Sequence, residues 1–127
     1  MREYQTEKEK ILPKDVWLTT LATIRGYYRR KENLRDIIDE QPDPRQPHVN
    51  GGGKSSQIES KVMKREHDRD IVAAIDKALD SIPKEYRHGV WQKVMYNAPY
   101  PEDAAPKTYT NYKAEFVIRA AKYLGIY

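Results

Sequence analysis

Apolar residues in this chain recur at spacings of three and four and nowhere alternate with polar ones over a sustained run, a regularity that confines the fold to helices. A strand buries one face with a period of two, and no segment offers that pattern. The expected fold class is therefore all-α: a long amino-terminal helix, a flexible Pro/Gly linker, and a carboxy-terminal helical bundle with a helix-turn-helix-like end.

Residues 13–40 read as one helix, with Pro13 in its first turn and Trp17, Leu21, Ile24, Tyr28 and Ile38 along its apolar stripe. Lys31 and Arg35 interrupt that stripe, which suits a helix that packs at its two ends or pairs with another helix. Residues 1–12 read as a flexible tail. Residues 41–56, "QPDPRQPHVNGGGKSS", hold three prolines and three glycines and read as a linker. Helix returns near Gln57, runs through "KREHDRD", and turns amphipathic from Ile71 to Ile82 before Pro83 closes it. A third helix covers 84–97, with Tyr86, Val90, Trp91, Val94 and Met95 on its apolar side and Gly89 permitting a close neighbour. "APYPEDAAPKT" then allows a turn or two of helix at most, with Asp103 as a cap. The last helix is expected to begin at Thr108 as N-cap. It buries Tyr109, Tyr112, Phe116, Val117, Ala120 and Leu124, and Gly125 ends it.

At 127 residues the chain supports one core at most, too little for the layered sheet of a nucleotide-hydrolysing fold. One third of the residues are charged, so long amphipathic helices around a modest core fit better than a large apolar interior. No cysteine is present, which removes disulfides, thiolate metal sites and cysteine nucleophiles together. No apolar run approaches the roughly 20 residues needed to span a bilayer, and "MREYQTEKEK" lacks the apolar stretch of a secretory signal. A soluble, cytoplasmic protein without membrane partners is expected. The formal net charge of +4 permits an anionic partner without demanding one.

"VNGGGKSS" supplies the second half of a phosphate-binding loop, but His48 stands where its first glycine belongs, and "PDPRQP" precedes it where a buried strand is required. A hinge is the better reading, with Lys54 at most touching a phosphate of a bound nucleic acid. His48, His67 and His88 are scattered without a second ligand at zinc spacing, so no metal or cofactor is expected. Glu66, Asp68 and Asp70 sit among Lys64, Arg65 and Arg69 in what reads as a solvated helix face. No serine stands in a nucleophile setting, and the chain is not read as an enzyme. "RGYYRRK", residues 25–31, interleaves cations with tyrosines as a nucleic-acid site would; helical geometry spreads them around the axis, and a solvated or partner-facing helix is preferred.

The carboxy-terminal order of parts is more informative. A helix, a tight connection and a closing helix that begins with small polar residues and lysines is the arrangement of a helix-turn-helix reader, whose second helix points its first residues into the major groove. Lys107, Thr110, Asn111, Lys113 and Ala114 would then face DNA, with Thr110 or Asn111 on base edges and the lysines on phosphates. A plain surface helix closing a three-helix bundle has the same periodicity, and both readings stand.

"IRGYYRRKENLRDIIDE", "NGGGKSS", "AIDKALDSIPKEYRHGVWQKVMYN" and "TYTNYKAEFVIRAAKYLGIY" in this order resemble the RinA/ArpU-type late transcriptional regulators of phages and prophages, over most of residues 16–127. Their carboxy-terminal part is similar to the region-four helix-turn-helix domain of sigma factors. The resemblance implies sequence-specific binding to double-stranded DNA and control of phage late genes. Its reader positions fall on Thr108, Thr110, Asn111, Lys113 and Ala114, and residues 57–127 become the DNA-binding-like domain. Host RNA polymerase and self-association through the 13–40 helix are the further partners this reading admits. The alternative is a helical protein–protein interaction module without direct DNA reading.

Overall fold

The computed structural model describes residues 4–39 and 54–127, with side chains described for 4–35 and 63–127. Among them the regular structure is helical throughout: a one-turn 3-10 helix at Glu9–Ile11, then α1 (Lys14–Arg25), α2 (Tyr27–Asp39), α3 (Lys54–Asp80), α4 (Lys84–Tyr96) and α5 (Pro106–Tyr123). The all-α expectation holds. Residues 41–53 of the expected linker, with residue 40 of the expected helix, lie outside the described residues; α3 is described from Lys54, three residues before the expected Gln57.

The single helix expected over 13–40 is two helices. Gly26 stops α1, its N–H shared between the carbonyls of Ala22 and Thr23 at 3.2 and 3.1 Å, and its own carbonyl accepts from Arg30 N–H at 3.0 Å to start α2. Lacking a Cβ, glycine gains least from staying helical, so the break falls there. The buried stripe passes from Trp17, Leu21 and Ile24 to Tyr27, and Tyr28, expected on that stripe, is left half-exposed.

The tail expected over 1–12 is also corrected for its described part. Glu9 and Leu12 are fully buried, and the Gln5 amide donates to the carbonyls of Glu9 and Leu12 at 3.1 and 2.8 Å. Nor do the first helix and the carboxy-terminal region form separate parts. Trp17, Leu21 and Ile24 belong to the same core as Ile75, Val90, Val94, Phe116 and Val117.

α5 forms the middle of that core, touching the 3-10 turn, α1, α3 and α4. Its start differs from expectation: Ala105 is the N-cap residue, Pro106 opens the helix, and Thr108 lies within the first turn. Proline suits that position because its fixed φ is helical and its missing N–H would have no partner there. Asn97, in the left-handed conformation at φ 53°, ends α4, and Gly125 at φ 74° follows α5. Both are residues that accept this backbone shape at low cost. Between them, 97–105 contains no helix, and Asp103 caps nothing; its carboxylate instead accepts the Tyr109 hydroxyl.

Candidate nucleic-acid interface

The outer surface of α5 is narrow because the helix is enclosed on several sides. Tyr109, Ala114, Phe116, Val117, Ala120 and Ala121 are buried. On a helix of 3.6 residues per turn these positions occupy almost half the circumference. Ala114 has no exposed surface, so its expected place against DNA is corrected: it is core.

Lys113 is corrected as well. Its side chain is 12% exposed and its Nζ lies 3.5 Å from Oε1 of the fully buried Glu9. That carboxylate also accepts the Thr6 N–H and hydroxyl at 3.2 and 2.8 Å on Oε1, and the Trp17 indole N–H at 2.6 Å on Oε2. A buried carboxylate is tolerated only with such partners. Lys113 therefore neutralises the amino-terminal turn instead of reaching a phosphate, and Lys8, 3.4 Å from Glu115, ties the same turn to α5 a second time.

Lys107 and Asn111 are exposed, one helical turn apart, with Thr108 half-buried beside them. Thr110 is half-buried and donates its hydroxyl to the Pro106 carbonyl at 2.9 Å. The first turn of α5 carries no acidic residue. Lys54 is the first residue of α3, and its side chain lies outside the described set. Of the seven expected contacts, the structure brings Lys107, Thr108 and Asn111 together on one outward edge.

That edge is held from beneath by aromatic rings. Tyr109 stacks on Tyr100 and meets Tyr86 edge-on at 5.3 and 5.4 Å, and Tyr86 stacks on Tyr112 at 4.9 Å. A Cβ at Gly89 would lie 2.6 Å from the Tyr109 ring and 2.8 Å from Pro101, so only glycine lets α4 pass this close. The hydrogen bond to Asp103, followed by burial, pushes the Tyr109 hydroxyl up to about 12; burial raises that of Tyr100. The 97–105 connection is longer than the roughly three or four residues of a helix-turn-helix, and Tyr100 and Pro101 within it are packed beneath α5.

A second polar cluster escaped the sequence reading. Asp68, expected on a solvated face, is 2% exposed and takes Arg30 Nη1 at 2.6 Å on Oδ1. Asp68 Oδ2 and the Nε atoms of Arg30 and Arg65 are buried without a hydrogen-bond partner among the described residues. The signal was present: Asp68 lies four and seven positions before the buried Val72 and Ile75, on the same helix face. His67 and His88 are exposed, and among the described residues no group of three or more His, Cys, Asp or Glu is placed to hold a metal ion. No described helix is long and apolar enough to cross a membrane.

Compared with protein-family models, curated proteins and solved structures, the chain matches none of them.

Proposed function

We propose that the chain is a sequence-specific DNA-binding transcriptional regulator of the phage late-gene kind, with the outward edge of α5 as its reader. The observation that carries this reading is the combination of a helix body locked in the core with Lys107, Thr108 and Asn111 presented from its first two turns. A rigidly held helix with polar residues at its start is what a reader needs, because base contacts depend on a fixed angle of approach. Lys107 contacts a phosphate, and Asn111 is matched in chemistry to the N6/N7 edge of adenine.

The interaction-module alternative rested on the stripe from Trp17 onward. Trp17, Leu21 and Ile24 are spent within the bundle, which removes that surface from a second copy. Host RNA polymerase is the protein partner that belongs with the regulatory role.

The test uses a labelled duplex from the region upstream of the chain's own gene and a random duplex of equal length, both read by anisotropy. Affinity for both should fall steeply as salt rises, because phosphate contacts release counterions. Lys107→Gln should weaken both duplexes alike. Asn111→Ala should shrink the preference between them by about 1–3 kcal/mol. Absence of binding to either duplex at low salt sinks the proposal.

A further inference from the structure

Tyr28, half-exposed while Tyr27 takes the core position, stands in the middle of a groove formed by α2, α3 and α4. Two adjoining hollows make up this groove, of about 360 and 510 Å³, and Tyr28 and Lys31 line both. One reaches Trp91, Arg87 and His88 on α4; the other follows α2 to Arg35. Tyr28, Lys31 and Arg35 are spaced by three and four, so a single stripe of α2 lines the groove lengthwise.

The Tyr28 ring is half-exposed yet fixed. Its hydroxyl accepts the Trp91 indole N–H at 2.9 Å, and its contacts with Tyr27 and Trp91 are edge-on, at interplanar angles of 81° and 89°. Neither neighbour stacks on it. Beneath it, Tyr27 is buried and donates its hydroxyl to Asp76 at 2.6 Å, which occupies the carboxylate nearest the floor. Arg87 is held by the carbonyls of Ile82 and Asp80 at 3.0 and 2.8 Å, so its charge is positioned without flexible searching. The lining carries Lys31, Arg35 and Arg87 against Asp76 and Glu32, with Asp80 lying 3.8 Å from Arg87 Nη1.

This combination selects among occupants by chemistry. A cationic peptide would meet Lys31 and Arg35, and an apolar helix would strip both of water without pairing them. A nucleotide satisfies both halves, with a planar base for the ring and an anion for the cations. A paired base is stacked on both faces inside its duplex, so only an unpaired one can lie on Tyr28. Along α2, Lys31 and Arg35 are separated by about 6 Å, a spacing suited to successive phosphates of one strand.

We propose that this groove binds single-stranded nucleic acid, with an unpaired base stacked on Tyr28 and the neighbouring phosphates on Lys31 and Arg35. The groove lies on α2, α3 and α4, away from the outward edge of α5, and the inference stands or falls independently of duplex reading.

The experiment titrates the full chain into labelled dodecathymidylate and into its RNA counterpart at low salt, with thymidine monophosphate as competitor. Saturable binding to at least one strand is expected, weakening with salt and quenching the indole fluorescence that Trp91 contributes. Tyr28→Ala should weaken it by roughly tenfold or more, as loss of one stacked base predicts, while Tyr28→Phe keeps most of it. Arg35→Gln, a surface change that spares the fold, should weaken binding several-fold, and Asn111→Ala should leave it unchanged. No saturable binding of either strand, or unchanged affinity in folded Tyr28→Ala and Arg35→Gln, overturns the proposal. Displacement of the strand by an equal concentration of thymidine monophosphate also overturns it, and assigns the groove to a free nucleotide instead.

Discussion

The two ends of this molecule bury a carboxylate in opposite ways. Where the amino-terminal turn meets α1 and α5, Glu9 has both oxygens engaged by four donors from three segments of the chain. Where α2 lies along α3, Asp68 is almost as deeply buried, yet among the described residues only one of its oxygens has a hydrogen-bond partner, a single guanidinium that is itself 20% exposed. The first arrangement costs little to keep and much to break. The second is nearer to balance, because a half-satisfied buried charge returns less of its desolvation cost. The molecule thus has a firmly cross-linked end carrying the α5 edge and a more loosely determined arm carrying the Tyr28 groove.

Glu9→Ala should expose this contrast most strongly. It leaves the Lys113 ammonium and the Trp17 indole without their shared acceptor, and a loss of about 3–5 kcal/mol in urea unfolding is expected. A loss similar to that of a surface change would erase the distinction between the two ends. Gly89→Ala attacks the same end by volume. The added methyl meets the Tyr109 ring and Pro101 below van der Waals distance, and about 1–3 kcal/mol should be lost despite alanine's better helix propensity. Asp68→Asn, the matching change in the arm, should cost less, about 1–2 kcal/mol, since Arg30 retains some access to water. If it costs as much as Glu9→Ala, the arm is as tightly specified as the base.

The smallest effect appears only in alkali and compares the two buried hydroxyls. Tyr109 at the firm end and Tyr27 in the arm are each held protonated beyond their ordinary range, Tyr109 chiefly by its bond to Asp103 and Tyr27 chiefly by burial. A group whose folded pKa is raised stabilises the fold below its unfolded value, near 10, and that contribution drains away as pH rises. For Tyr109 the window runs from about 10 to about 12. Stability followed by circular dichroism should fall across it, and Asp103→Asn should make the fall smaller, because the folded value then lies nearer the unfolded one. Tyr27 should ionise later than Tyr109 in a spectroscopic titration.

Much of the helical plan was readable from spacing alone, because helix faces are local. The boundaries of α4, the stop at Gly125, the close passage at Gly89 and the buried Tyr109, Phe116, Val117 and Ala120 all follow from residues within a few turns of one another. The surroundings of the positions expected to face DNA were legible only in part. Lys113 lies four residues after Tyr109 and three before Phe116, so its place on the buried side was readable from spacing, whereas its partner Glu9, about a hundred residues earlier, was not; Ala114 sits at the edge of the buried arc. Thr108 missed its cap because proline at 106 opens the helix two residues sooner. Tyr27 and Tyr28 both continue the stripe of α1, three and four residues after Ile24, and only tertiary packing decides between them. The groove around Tyr28 is the result of that decision.

The bond between Glu9 and Lys113 joins positions 104 apart. Synthesis from the amino end makes Glu9 and Trp17 long before Lys113, so the network around this carboxylate is completed only once α5 has been made. Ordering a segment across so long a loop is slow compared with forming its own turn. The turn at Glu9 is therefore secured late, and it takes its place together with α5.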